Sequence, residues 1–187
     1  MGRVADHSVA AGWGFAEATF FFVVPDVWTS WVGLRRPRRA LTCCLSALGG
    51  AMTGGTVTYL WSRRMPERTT RRWMAKVPAV SEQMVVEVEA ELQHEGHRSL
   101  MRGPTRGVPY KLYARASGLQ GRSLVSFLAW SVPARLLRFA AVTLLASGAA
   151  AAAHRAAPRL PEPAVSMVFA GCWSAFYLWF FRTLSRR

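Results

Sequence analysis

Residues 40–62 read ALTCCLSALGGAMTGGTVTYLWS and contain no Asp, Glu, Lys or Arg. About 20 helical residues cross the roughly 30 Å hydrocarbon layer of a bilayer, so this run is long enough to span one. Arg35, Arg36, Arg38 and Arg39 precede it, and Arg63 and Arg64 follow it. Cations framing an uncharged run mark a helix whose ends reach the headgroups. Two further runs repeat the pattern. Residues 164–181 follow Pro163, end at Arg182 and carry Trp173, Tyr177 and Trp179, aromatics suited to a membrane interface. Residues 124–153 are free of Asp, Glu and Lys and are interrupted only by Arg135 and Arg138.

The whole chain fits this reading. It has 187 residues, 51% hydrophobic and only 18% charged, with 24 Lys plus Arg against 10 Asp plus Glu and a net charge of +14. That composition is too apolar for a disordered chain. A basic excess can mark a nucleic-acid binder, but here the arginines sit at the ends of apolar runs. No zinc-finger spacing, RNP pattern or contiguous basic helix occurs, so nucleic acid is excluded as a partner. Cys43, Cys44 and Cys172 form no CxxC and lie in apolar runs, where they read as small buried hydrophobes. Glu17 and Asp26 interrupt and close the first apolar stretch, which argues against a cleaved signal peptide.

Two apolar segments are too short or too broken to span simply. Residues 10–27 contain Glu17 and stop at Pro25-Asp26, and residues 104–119 hold Pro109, Lys111 and Arg115. Such pieces read as re-entrant or broken helical hairpins, tolerated only where their backbone is buried in protein or lines a wet cavity. A pair of them points to the binding site of a transporter. Between Arg63 and Arg102 lies an extramembrane segment. It is basic at first, and then Val80, Met84, Val88 and Leu92 recur every four residues. That spacing predicts an amphipathic helix over 80–95, ended by Gly96, lying on the membrane or on the rest of the protein. The positive-inside rule puts the 63–102 loop and the tail with Arg182, Arg186 and Arg187 in the cytoplasm, with the arginines at 35–39 dissenting.

The predicted architecture is therefore all-α: a polytopic membrane protein in one domain over 1–187, with about three transmembrane helices and two broken hairpins. Within it, Glu17 and Asp26 are the acids in the apolar segments, and Lys111, Arg135 and Arg138 are the matching bases. A charge inside a bilayer costs several kcal/mol unless it is paired or faces water. Arg135 and Arg138 share one helix face, and Pro133 just before them predicts a kink. Three readings stand side by side. The charges form buried ion pairs that fix packing, the arginines snorkel to the interface, or they line a hydrated cavity for an anionic headgroup. Arginine suits phosphate through its planar, permanently charged fork. A carboxylate beside it is suited to releasing the phosphate or to coupling its movement to a proton.

Other chemistry finds no support. His94-Glu95-Gly96-His97 is not HExxH, and it reads as a solvated helix end. There is no GxSxG, Walker A or dinucleotide fingerprint in context and no nucleophile–base pair, so no enzyme activity, cofactor or metal is expected. Gly49, Gly50, Gly54 and Gly55 read as small residues that let helices pack closely.

Four motifs in order carry a family resemblance. The first is Glu17-Ala-Thr-Phe-Phe-Phe-Val-Val-Pro25-Asp26-Val27, the second Gly49-Gly50 and Gly54-Gly55 followed by Tyr59. The third is Val108-Pro109-Tyr110-Lys111 with Gly118, the fourth Arg135-Leu-Leu-Arg138-Phe139. Over about 13–145 these resemble the DedA-type membrane proteins that carry the VTT (SNARE-associated Golgi protein) domain, in particular the short Pro-Tyr-Lys bacterial members. Ala134 stands where the family generally has Gly, and Gly107 where a first proline is common. The resemblance implies a bacterial cytoplasmic-membrane protein that moves lipids between leaflets, either lipid-carrier phosphates or phospholipids. It implies substrate contact at Glu17, Asp26, Lys111, Arg135 and Arg138, and turn or packing roles at Pro25, Pro109, Gly118, Gly54 and Gly55. The partners implied are membrane lipids, with a second copy of the chain and a coupled proton left open. A membrane assembly protein and a proton-coupled small-solute transporter are the alternatives.

Overall fold

The computed structural model describes residues 2–78, 80–159 and 161–184. Among these residues every regular element is helical. In chain order they are α1 (Arg3–Thr19), α2 (Asp26–Gly33), α3 (Pro37–Arg64), α4 (Glu67–Ala75) and α5 (Glu82–Glu95). A 3-10 turn over Gly96–Met101 leads to α6 (Gly103–Arg106), α7 (Tyr110–Leu119), α8 (Leu124–Ala156) and α9 (Glu162–Leu184). Three of them, α3, α8 and α9, are long and apolar enough to cross a membrane. The basic tail at Arg186 and Arg187 lies outside the described residues.

The centre of the molecule is the α1–α3 packing. Buried Asp6, Ala10, Gly14 and Ala18 on α1 step by four residues, one face of a helix. That face meets a small-residue face of α3. A Cβ on Gly54 would stand 2.6 Å from the Phe15 carbonyl oxygen, and Cβ atoms on Gly14 and Gly50 would run into the backbone at Ala47 and Ala11. The two backbones approach closely because these positions lack side chains. Gly49, by contrast, faces open space. Further along α3, Gly55 leaves room for the Tyr110 ring, and Gly118 of α7 lies against the backbone at Tyr59.

Both short segments are broken helices. The first breaks over residues 20–25, where Pro25 caps α2 by accepting from the Trp28 and Thr29 N–H groups. The second breaks at Gly107, whose φ of 69° is left-handed, and restarts behind Pro109, which accepts from the Leu112 N–H. The hairpin from α7 back to α8 turns through Gly121, also at positive φ.

The first broken segment is longer than the run of apolar residues suggested. It starts at Arg3, not at residue 10, and ends at Gly33. It therefore includes Asp6, which is buried and pairs with Arg39 at 2.9 Å. Arg35 in turn bonds Glu162. Two of the four arginines at 35–39 thus have acidic partners. Helix α8 runs as one element through Pro133, as the single span expected over 124–153 requires. The amphipathic helix lies on the protein. Met84, Val85, Val88 and Leu92 of α5 join the core formed with Leu112, Tyr113 and Ala116 of α7. Ser81 caps it by accepting from the Met84 N–H, and Gly96, at positive φ, ends it.

His97 is not a solvated helix end. It is buried, with Nδ1 2.8 Å from the Ser126 hydroxyl and Nε2 3.2 Å from that of Ser117. Burial and the nearby Arg122 cation push its ring below the usual histidine range. Nor is Cys172 a buried hydrophobe: Cys43 and Cys44 are buried, but Cys172 is exposed on α9.

Candidate functional site

The two broken helices and the middle of α8 meet in one place. Glu17 comes from the end of α1, Asp26 from the start of α2, Lys111 from the start of α7, and Arg135 and Arg138 from α8. All five line a cavity of about 790 Å³ between these elements and α9. Around them the lining is apolar: Phe22, Val142, Leu145, Val168, Phe169 and Phe176 contribute to it. The site is an apolar chamber with a patch of charge at the helix breaks.

The two acids are paired in different ways. Arg135 donates two hydrogen bonds to Glu17, Nη1 to Oε1 at 3.2 Å and Nη2 to Oε2. Both side chains are 5% exposed. The guanidinium also lies over two rings, 4.6 Å from the Tyr110 centroid and 4.9 Å from that of Phe139. Such contacts suit a delocalised cation, since the ring faces are electronegative. Tyr110 is itself fixed, donating to Ser131 at 3.0 Å and stacking on Phe127.

Asp26 and Arg138 are close but poorly joined. Arg138 Nη2 stands 3.0 Å from Asp26 Oδ2. The orientation makes no hydrogen bond, and among the described residues both Asp26 oxygens and Arg138 Nε and Nη2 lack a hydrogen-bond partner. Asp26 is almost completely enclosed, whereas 22% of the Arg138 side chain is exposed. A buried polar group without a partner costs about 1–3 kcal/mol, more when charged. The pair therefore holds unspent hydrogen-bonding capacity at the cavity wall.

Two further bonds tie the break of the first hairpin in place. Lys111 donates to the Phe21 carbonyl at 2.6 Å, and the Val24 N–H donates to the Tyr177 hydroxyl of α9 at 3.0 Å. Helix ends leave backbone groups unmatched. Here a lysine from the second hairpin and a tyrosine from α9 match one carbonyl and one N–H. Helix α9 otherwise rests on side chains such as Phe22 against Phe181 and Trp31 against Phe169. None of its apolar stretch is buried.

The sequence reading missed Tyr110 as a partner of Arg135, and it missed Arg115. Arg115 is 1% exposed and bonds Glu89 and Thr70. Its signal was available: it lies four residues after Lys111, on the same face of a short helix. It points to α5 and not to the cavity. Among the described residues no His, Cys, Asp and Glu grouping could hold a metal.

Fold and site together define a class: an all-helical protein with three helices long and apolar enough to cross a membrane and two broken helices converging on charges inside an apolar chamber. Comparison with known proteins finds no matching family model, curated protein or solved structure.

Proposed function

We propose that this chain is a multi-pass integral membrane protein that passes an anionic lipid between leaflets, binding its phosphate at Arg138. One observation carries the reading. Arg138 lines an apolar cavity that is large enough for part of a lipid chain, is the partly exposed member of its pair, and has two enclosed donors, Nε and Nη2, without a partner among the described residues. A phosphate fills the guanidinium fork that Asp26 leaves unfilled. Asp26 is placed to take up a proton as the phosphate binds and to return to Arg138 when it leaves. Lys111 and Glu17–Arg135 hold the hairpins around this exchange. The resemblance to the DedA-type proteins supports the same reading and a bacterial cytoplasmic membrane as its place.

The alternative of a purely structural role has its own support in the Glu17–Arg135 pair, whose carboxylate is bonded at both oxygens and which leaves only Arg135 Nε without a partner among the described residues. The site thus divides into a lock and a binding pair.

Reconstitution into liposomes with fluorescent phospholipid or polyprenyl-phosphate reporters tests the proposal. Leaflet exchange of one of them is expected, and Arg138→Gln and Asp26→Asn should each abolish it while folding persists. No exchange of either reporter sinks the lipid reading. Single variants that misfold, with a double variant that regains only folding, would assign the pair to structure.

A further inference from the structure

The link between α3 and α5 presents a second surface, away from the cavity. Helix α3 has 28 residues and is about 42 Å long, more than the roughly 30 Å hydrocarbon layer. Its last residues, Arg63 and Arg64, are exposed and fall at headgroup level. Helix α4 starts at Glu67, only a short link further on, so it lies at the same level.

Helix α4 has two opposed faces. Thr70 and Met74 are buried against the protein. Arg68, Arg72 and Lys76 step by four residues along the opposite side and are exposed. Trp73 flanks this stripe, 56% exposed, and Met65 at the helix approach is 44% exposed. The Trp73 ring is not loose: it meets Trp61 of α3 edge to face at 6.2 Å.

The cations of this surface are unspent. Arg71, on the flank toward α5, bonds Glu67 and Glu89. Arg63, Arg64, Arg68, Arg72 and Lys76 make no ion pair among the described residues. Nearby acids are already engaged: Glu89 and Glu91 of α5 hold Arg115 and Arg106, and Glu87 accepts from Gln83. Basic residues with an exposed Trp at headgroup depth complement an anionic, amphiphilic surface.

We infer that α4, with the Arg63–Arg64 end of α3, is an interfacial anchor that lies on anionic lipid headgroups and seats Trp73 among them. The membrane surface is its partner, and the surface is separate from the phosphate site at Arg138. An adsorbed basic residue strengthens binding about fivefold, so removing three cations weakens the contact by about two orders of magnitude.

The full-length protein, reconstituted in phosphatidylcholine vesicles with or without phosphatidylglycerol, tests this. Both carry a lipid bearing a shallow nitroxide quencher. The difference in quenched fluorescence between the native chain and Trp73→Phe isolates the Trp73 signal. Quenching of Trp73 should rise with phosphatidylglycerol and fall back at high salt. The exposed triple substitution Arg68→Gln, Arg72→Gln, Lys76→Gln should remove the phosphatidylglycerol dependence, and Arg68→Lys with Arg72→Lys should keep it. Arg138→Gln should leave it untouched, which separates this surface from the cavity. Trp73 quenching that ignores phosphatidylglycerol, or that survives the triple substitution, overturns the inference, as does loss of quenching in Arg138→Gln. An acidic protein partner would show as Trp73 left unquenched in both vesicles, and that outcome also overturns it.

Discussion

Glu17–Arg135 and Asp26–Arg138 lie side by side and use the same residue chemistry, yet their states differ. The first pair is bidentate and enclosed, with its arginine over the Tyr110 and Phe139 rings. The second shares a 3.0 Å approach and no hydrogen bond, with its arginine partly exposed in the cavity. The difference teaches that buried charge serves two ends in one site. A bidentate pair holds helices together, and a pair with no hydrogen bond between its members keeps donors for something else. Removing one partner of a buried pair strands the charge of the other, and Arg138, being partly exposed, is stranded least.

The sharpest way to break the comparison is at Arg135. Arg135→Ala or Glu17→Ala should each cost about 3–5 kcal/mol, seen as an early unfolding transition in mixed micelles. Glu17→Gln with Arg135→Met should recover most of that loss. Next in size are the glycines that bring α1 to its place. Gly54→Val forces a Cβ toward the Phe15 carbonyl, and should cost about 1–3 kcal/mol while loosening Glu17 from Arg135. Asp26→Asn, alone or together with Arg138→Gln, should cost less, about 1–2 kcal/mol, because no enclosed charge is left behind and no hydrogen bond is lost. Their effect should fall on lipid exchange, and destabilisation equal to that of the Glu17 and Arg135 substitutions would erase the distinction between the pairs.

The smallest effect lies outside the cavity, and it sharpens the comparison by acting on fold alone. His97 is held neutral, with its ring below the usual range. A depressed value contributes stability at pH above the ordinary histidine pKa of about 6.5. That contribution is lost as pH falls through about 6.5 toward the folded value, because the unfolded ring takes the proton more readily. The melting temperature should therefore decline between about pH 7.5 and 5.5, and His97→Gln should flatten the decline without changing lipid exchange at neutral pH.

The signals in the chain differ in kind. Long apolar runs, charge-free in α3 and α9 and broken only by Arg135 and Arg138 in α8, gave the three helices to within a few residues, because helix length and bilayer thickness are both fixed. The breaks were legible from Pro25, Gly107 and Pro109, where backbone chemistry is local. Asp6 was missed because apolar composition starts at residue 10, although the four-residue step through Ala10, Gly14 and Ala18 carries the same face back to it. His97 was missed because its partners, Ser117 and Ser126, come from two other helices.

By itself, the sequence determined an all-helical chain with three bilayer-length helices, two broken segments and five ionisable residues inside apolar surroundings. Only the tertiary structure decided which acid meets which base, and which of those meetings is complete. Hydrogen bonds are directional and shorter than a helix turn, so small shifts in helix placement separate a bidentate pair from one with no hydrogen bond. Hydrophobic patterning is blind to shifts of that size.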